Sequence, residues 1–215
     1  MNRKQIASFA FAVALVASLY GWSRRVATNP RPAPVIVEDE KHLVTPEMAS
    51  ASVARIGLAA PGFEKPTAGG ATERLEDLLR DGPVLLTFIK VGCPCSESAQ
   101  SSFNELHAAY PGVAIRGVID VEAEKARGWA DRFHAAYPLL LDPDEDLVRD
   151  YGAENSAYVV LIEPGGAIAN HWPGYSGPML RELGALMARL SGTAERPLDF
   201  PDAPEELYTG CPYGI

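Results

Sequence analysis

The sequence predicts an α/β fold in which a mixed central sheet carries helices on both faces. Three observations lead to this prediction. Apolar runs of strand length alternate with helical patterns in the middle of the chain, a hairpin signal follows near Pro164, and an amphipathic helix comes after the hairpin. A chain of 215 residues has room for one such domain together with a leader and a tail.

The N-terminal segment predicts an export signal or a membrane anchor. Residues 6–22 carry no charge, and Arg3 and Lys4 precede them. This length is at the short end of a membrane span and long for the apolar part of a signal peptide. Bulky Tyr20 and Trp22 stand where a cleavage site needs small residues, which favours an anchor. We expect a membrane-anchored protein facing the periplasm or the cell exterior, or an exported one if the leader is cleaved.

A Pro-rich stretch, NPRPAP at residues 29–34, marks a spacer after this leader. The predicted organisation is a signal anchor at 1–22, a linker at 23–55 with one short helix after Thr45, an α/β domain at 56–191, and a tail at 192–215 that carries Cys211.

The first half of the domain begins with the apolar, β-rich run VLLTFIKV at residues 84–91, which predicts a strand buried on both faces. A helix is predicted from Pro94 to just before Pro111, because apolar residues recur on one face: Ala99, Phe103, Leu106 and Tyr110. The patterns that follow predict a strand at 113–119, a helix at 122–137 and a short strand at 138–141.

The second half continues the alternation. A short helix is predicted over 144–151, ending at Gly152. The next predictions are a strand at 157–162, a turn at Pro164-Gly165-Gly166, a partner strand at 167–172 and a closing helix at 178–190. We expect Trp172 to Tyr175 to form a packed turn before that helix.

The acidic composition excludes one class of function. The formal net charge is −9, and no segment interleaves aromatic residues with a basic stripe. Binding to nucleic acid requires a basic surface, so we do not expect it.

The candidate chemistry lies in two cysteines at a strand-to-helix junction. Pro94 suits the first helical position, which makes Cys93 the predicted N-cap residue. A thiol there faces unpaired backbone N–H groups and the positive end of the helix dipole, which lowers its pKa. Lys90 would add to this effect and Glu97 would oppose it. The competing interpretation treats Cys93 and Cys95 as small core hydrophobes.

The third cysteine, Cys211, lies in the polar C-terminal tail. Three cysteines leave one unpaired in any intramolecular scheme, so a free or exchanging thiol is expected. A disulfide between Cys93 and Cys95 would be strained at such close spacing, whereas Cys211 can reach either as a resolving thiol. An idle tail cysteine is the alternative.

These residues resemble a known family. GLAAPGF from Gly57, the strand VLLTFIKVGCPC, the segment YGAENSAYVVLIEPGGAI from Tyr151 and the closing helix are together similar to the redoxin branch of the thioredoxin superfamily. That branch includes peroxiredoxins (AhpC/TSA) and membrane-anchored, TlpA-like thiol-disulfide oxidoreductases. The resemblance implies a thioredoxin-like fold and catalysis by Cys93, with Cys95, Cys211 or an outside thiol as the resolving thiol.

The departures from the family pattern bear on the reaction. In register with the C-x-x-C motif of the oxidoreductases, Ser96 takes the place of the second cysteine, and Ala157 takes the place of the cis-proline. In register with the P-x-x-x-T-x-x-C motif of peroxiredoxins, Leu86 and Lys90 replace the Pro and the Thr.

Three functions follow as hypotheses. The first is an extracytoplasmic thiol oxidoreductase that reduces a disulfide or a peroxide and needs an external thiol as electron donor. The second is Cu(I) binding and delivery by the C-x-C pair with His171, similar to the Sco type. The third is a thioredoxin-like binding module without catalysis. No organic cofactor is expected, and partners would be thiol or disulfide proteins or a peroxide.

Overall fold

The computed structural model describes residues 42–214, so the predicted leader and most of the predicted linker lie outside the described residues. The helices of the described chain are α1 (Pro46–Val53), α2 (Leu75–Asp81), α3 (Pro94–Ala109), α4 (Ala123–Phe133), α5 (Asp146–Tyr151) and α6 (Gly177–Ser191). Its strands are β1 (Glu64–Pro66), β2 (Thr72–Arg74), β3 (Val84–Ile89), β4 (Ala114–Ile119), β5 (Leu139–Leu141), β6 (Val159–Ile162) and β7 (Ile168–Trp172). Within this part of the chain, no helix has the length and apolar character of a membrane span.

Strand β3 is the centre of a five-stranded sheet with the order β5-β4-β3-β6-β7. Strands β3, β4 and β5 run parallel, whereas β6 is antiparallel to β3 and to β7. This arrangement confirms the predicted mixed sheet. A separate two-stranded hairpin joins β1 to β2.

Both faces of the sheet are buried, which explains why every residue of β3 except Thr87 is apolar. One face, here called the cysteine face, carries Leu85 and Ile89 and packs in one cluster with Cys93 and Cys95. Helices α3, α4 and α6 cover the cysteine face, through residues that include Phe103, Trp129 and Leu183. The opposite face, called the far face, carries Leu86, Phe88 and Val160 and is covered mainly by α2 and α5.

The predicted helices and strands from β3 onward are present, with one clear correction. The helix predicted at 122–137 ends at Phe133, because His134 adopts a left-handed conformation with φ of 55°, which cannot continue the helix. The hairpin β1-β2 and helix α2 were not predicted, since three-residue strands and a seven-residue helix carry too little periodicity.

The C-terminal segment, residues 207–213 and here called the strap, folds back onto the domain. Tyr208 exchanges two backbone hydrogen bonds with Tyr175, at 2.9 and 3.0 Å, and bridges on its other side to Leu43. A glycine at position 174 is required here, because a Cβ atom there would overlap the Tyr208 carbonyl. The strap is therefore a built part of the fold, and Cys211 belongs to it.

Asp142 organises the turn between β5 and α5. Its carboxylate is fully buried and accepts hydrogen bonds from the backbone N–H groups of Leu147 and Val148. The ammonium group of Lys65 lies 2.7 Å from the same carboxylate. Asp142 thus caps the start of α5, and Lys65 neutralises its buried carboxylate.

We expect Asp142→Ala to lower the free energy of unfolding by about 3 kcal/mol, because a buried ion pair loses one partner and two helical N–H groups lose their acceptor. Denaturant unfolding measures this value. The matched control is Asp144→Ala in the same turn, whose exposed side chain should change stability by less than about 0.5 kcal/mol. Equal effects of the two substitutions would contradict the assignment.

Candidate functional site

Cys93 is the N-cap residue of helix α3, as predicted. Its backbone is extended, with φ of −87° and ψ of 117°, and Pro94 occupies the first helical position. The cysteine follows β3 after a short turn in which Gly92 has a φ of 82°. This geometry places the N-terminus of α3 next to the end of β3. The unpaired backbone N–H groups of the first helical turn favour a negative charge there.

The Cys93 sulfur is buried, with 1% of the residue exposed, and it accepts hydrogen bonds from three parts of the chain. The hydroxyl of Ser156 donates to it over 3.1 Å. The backbone N–H of Cys211 donates over 3.2 Å. The thiol of Cys95, two residues along the chain, is a further donor.

These donors lower the pKa of Cys93 to about 4. The hydrogen bond from Cys95 is the largest cause, and hydrogen bonds from Ser156 and Cys211 and the backbone amide of Ser96 act in the same direction. Burial opposes them. Because the donors outweigh burial, Cys93 is a thiolate at neutral pH.

The other two cysteines remain protonated thiols. The pKa of Cys95 is raised far above its ordinary value, because its proton bonds to Cys93 and because it is buried beside that charge. The pKa of Cys211 is raised to about 11 by burial and by the neighbouring Cys93 sulfur, although Lys90 lowers it. One thiolate therefore stands beside two thiols.

The strap is held over Cys93 by backbone pairing. The N–H of Ser156 donates to the carbonyl of Cys211 over 3.0 Å, and the N–H of Gly210 donates to the carbonyl of Ser156 over 2.8 Å. Lys90 donates to the Pro212 carbonyl over 2.6 Å. Lys90 was predicted to lower the pKa of Cys93. In the structure its ammonium group instead holds the strap.

A tyrosine borders the site on the side of α6. The hydroxyl of Tyr175 lies 2.6 Å from the hydroxyl of Ser98 in α3. Burial is the largest cause that raises the pKa of Tyr175 to about 12, and its proximity to Cys95 and Cys93 adds to it. The turn predicted at residues 172–175 is packed, and it reaches the neighbourhood of the cysteines.

The structure brings Cys93, Cys95 and Cys211 together but separates His171 from them. His171 pairs with Val160, so its side chain lies on the far face of the sheet. Its ring nitrogens lie 3.0 Å from the Ser52 hydroxyl and 3.0 Å from the Tyr151 carbonyl. The nomination of His171 as a copper ligand is therefore wrong. Residues 42–214 contain no group of three or more His, Cys, Asp or Glu side chains placed to hold a metal.

Sequence reasoning missed Ser156, whose hydroxyl lies 3.1 Å from the Cys93 sulfur. Ser156 is fully buried and lies directly before Ala157, whose φ is 62°. Peptide bonds in the described residues are trans, so the Ser156-Ala157 bond is not the cis bond found at this place in the family pattern. The sequence signal that could have pointed to Ser156 was its position directly before Ala157, which aligns with that proline.

Comparisons with known proteins agree with this architecture. Residues 56–172 match the AhpC/TSA family. Searching curated proteins gave no match.

Solved structures share the fold. One is the thioredoxin domain of a thiol-disulfide oxidoreductase from Bacteroides vulgatus, with a TM-score of 0.50, 21% identity, and coverage of 54% of this chain and 86% of that chain. A secreted disulfide oxidoreductase of Mycobacterium tuberculosis, homologous to E. coli DsbE, has a TM-score of 0.51 and 21% identity, over 60% and 96% of the two chains. The peroxidoxin BcpB of the same organism has a TM-score of 0.52 and 20% identity, over 65% and 98%. These likenesses show a thioredoxin-like fold.

The depressed pKa of Cys93 predicts a pH-dependent stability. The folded protein holds Cys93 deprotonated down to about pH 4, whereas the unfolded chain protonates it below about pH 8.5. This stabilisation is fully present above pH 8.5 and is lost as the pH falls towards 4. We expect the difference in unfolding free energy between wild type and Cys93→Ser to shrink across this window. Parallel pH profiles of the two proteins would contradict the buried thiolate.

The strap can lie against Ser156 only because residue 210 is a glycine and has no side chain. A Cβ atom there would overlap the Ser156 hydroxyl and lie 2.7 Å from the Ser156 carbonyl oxygen. Overpacking of about 1–3 kcal/mol should displace the strap, so we expect Gly210→Ala to speed the alkylation of Cys93 by iodoacetamide about tenfold or more. Gly214→Ala is the control in the same tail, because its Cβ would meet no atom closer than 3.8 Å. Unchanged alkylation in Gly210→Ala would show that the strap does not limit access.

Proposed function

This chain belongs to the AhpC/TSA family, and we propose that it is a thiol-dependent oxidoreductase that reduces a disulfide or a peroxide through the Cys93 thiolate. One observation carries the proposal: a sulfur at a helix N-cap accepts hydrogen bonds from Ser156, from Cys95 and from the backbone of Cys211. A purely structural core cysteine is an inert thiol in apolar surroundings, and it has no need of several donors.

With a disulfide substrate, the Cys93 thiolate attacks one sulfur and the substrate S–S bond breaks. One substrate sulfur leaves as a thiolate, and the other stays bound to Cys93 as a mixed disulfide. The Cys211 thiol then loses its proton and attacks Cys93, which releases the second substrate sulfur and forms a Cys93–Cys211 disulfide. Two protein thiols are oxidised and one substrate disulfide is reduced.

With a peroxide, the same thiolate attacks one oxygen and the O–O bond breaks. Cys93 becomes a sulfenic acid, and the leaving alkoxide or hydroxide takes up a proton. The Cys211 thiol then condenses with the sulfenic acid, which forms the same disulfide and releases water. An external thiol donor returns the protein to its reduced form in either case.

We assign resolution to Cys211 because of its position. Its backbone nitrogen lies 3.2 Å from the Cys93 sulfur, and it belongs to a terminal strap that can change position without unfolding the sheet. Cys95 lies in the first turn of α3 with only Pro94 between it and Cys93, where a disulfide would be strained. In this scheme Cys95 serves as a donor to the thiolate.

The proposed place of action is outside the cytoplasm, with a thiol or disulfide protein or a peroxide as the partner. The support is the charge-free leader at residues 6–22, flanked by basic residues, and the secreted nature of one structural relative from Mycobacterium tuberculosis. Such a compartment permits thiols to cycle through disulfides.

Cysteine variants test the scheme. We expect Cys93→Ser to abolish reaction with both hydrogen peroxide and a model disulfide, because the attacking thiolate is lost. Cys211→Ser should complete the first step and stall as a mixed disulfide or sulfenic acid. Mass spectrometry of the folded protein after each oxidant identifies the trapped species and the disulfide-linked peptides.

Cys95→Ser is the control, and it should still form the Cys93–Cys211 disulfide. A dominant Cys93–Cys95 peptide would overturn the assignment of Cys211. If Cys93 reacts no faster than a free thiol with either oxidant, the enzyme proposal fails, and a non-catalytic binding module becomes the better account.

A further inference from the structure

We propose that Ser156 is the positioning residue for the reactive sulfur: its buried hydroxyl holds Cys93 during attack, and its backbone seats the strap that brings Cys211 to the same sulfur. This inference rests on the proposed function of Cys93. It adds a residue that the cysteine pattern does not point to.

The first argument is the rigidity of the Ser156 loop. Ser156 has no exposed surface, and the next residue, Ala157, donates its N–H to the Phe88 carbonyl over 2.7 Å. Phe88 in turn donates its N–H to the carbonyl of Tyr158 over 3.0 Å. The serine is thereby fixed to the central strand, from whose end the chain continues to Cys93.

The second argument concerns what remains when the strap moves. Cys93 is 1% exposed while the strap is seated, so a substrate reaches the sulfur only after the strap shifts. The N–H of Cys211 then leaves with the strap, and this donor is lost. The hydroxyl of Ser156 stays, because it belongs to the sheet side of the site.

The third argument is that Ser156 uses every polar group it has at this site. Its hydroxyl donates to Cys93, its N–H donates to the carbonyl of Cys211, and its carbonyl accepts from Gly210. Ser156 therefore contacts both the attacking cysteine and the proposed resolving cysteine. After the first step, return of the strap to Ser156 places Cys211 beside Cys93 again.

The test separates the hydroxyl from the backbone. Ser156→Thr and Ser156→Val add side chains of nearly equal shape, and only Thr keeps the hydroxyl, so any packing cost is shared. We expect Ser156→Val, and likewise Ser156→Ala, to raise the pKa of Cys93 by about one to two units, the change expected for loss of one hydrogen bond to a charged group. Ser156→Thr should keep it close to that of wild type.

Titration of the thiolate by its ultraviolet absorbance measures this pKa, and Cys93→Ser identifies the step. The rate of reaction with a small model disulfide gives a second readout. Relative to Ser156→Thr, the smaller thiolate fraction of Ser156→Val should make it about five- to fiftyfold slower near pH 4 and close to equal near pH 7, where both are ionised. Ser101→Ala, an exposed serine on α3, is the control and should match wild type at every pH.

The two proposals fail differently. If wild-type Cys93 titrates in the acid range but Ser156→Val and Ser156→Thr give the same pKa and pH profile, Ser156 has no positioning role and the proposed enzyme still stands. If wild-type Cys93 titrates near 8.5, the reactive thiolate itself is absent, and both proposals are overturned. A raised pKa in Ser156→Val that Ser156→Thr restores supports the inference, because a purely structural role would not follow the hydroxyl.

Discussion

A negative charge on a buried sulfur is the constraint on which the site depends. An ion taken out of water is costly unless hydrogen bonds replace its hydration. Cys93 meets this requirement with a hydroxyl, a thiol and a backbone N–H, and it stands at a helix N-terminus that favours anions. A buried sulfur that is held as an anion by several donors is typical of a reactive cysteine, so the donors point to function more directly than the cysteines do.

The donors come from segments far apart in the sequence. Cys95 is a neighbour in the same helix, Ser156 lies before β6, and Cys211 lies in the strap. The mixed sheet makes this possible, because β6 pairs antiparallel with β3 and so begins where β3 ends. The loop before β6 therefore meets the turn after β3, and the strap closes over both.

This separation also determines what the sequence could predict. The N-cap role of Cys93 depends on its neighbour Pro94, and the apolar strand β3 is visible as a run, so local patterns were enough for both. Ser156 resembles any loop serine, and the position of the strap depends on pairing between residues more than 30 apart in the sequence. The error at His171 has the same origin, since only the strand register reveals that it lies on the far face.

The strap and the thiolate are linked energetically, because the same charge accepts the N–H of Cys211 and the hydroxyl of Ser156. A reaction that removes the charge, by sulfenic acid or mixed disulfide formation, weakens both bonds at once. Linkage is reciprocal, so a seated strap must stabilise the thiolate as much as the thiolate stabilises the seated strap. The reduced protein therefore favours the closed form. In the proposed scheme the strap shifts to admit the substrate, and once the charge is gone its backbone pairing with Ser156 is what returns Cys211 to the sulfur.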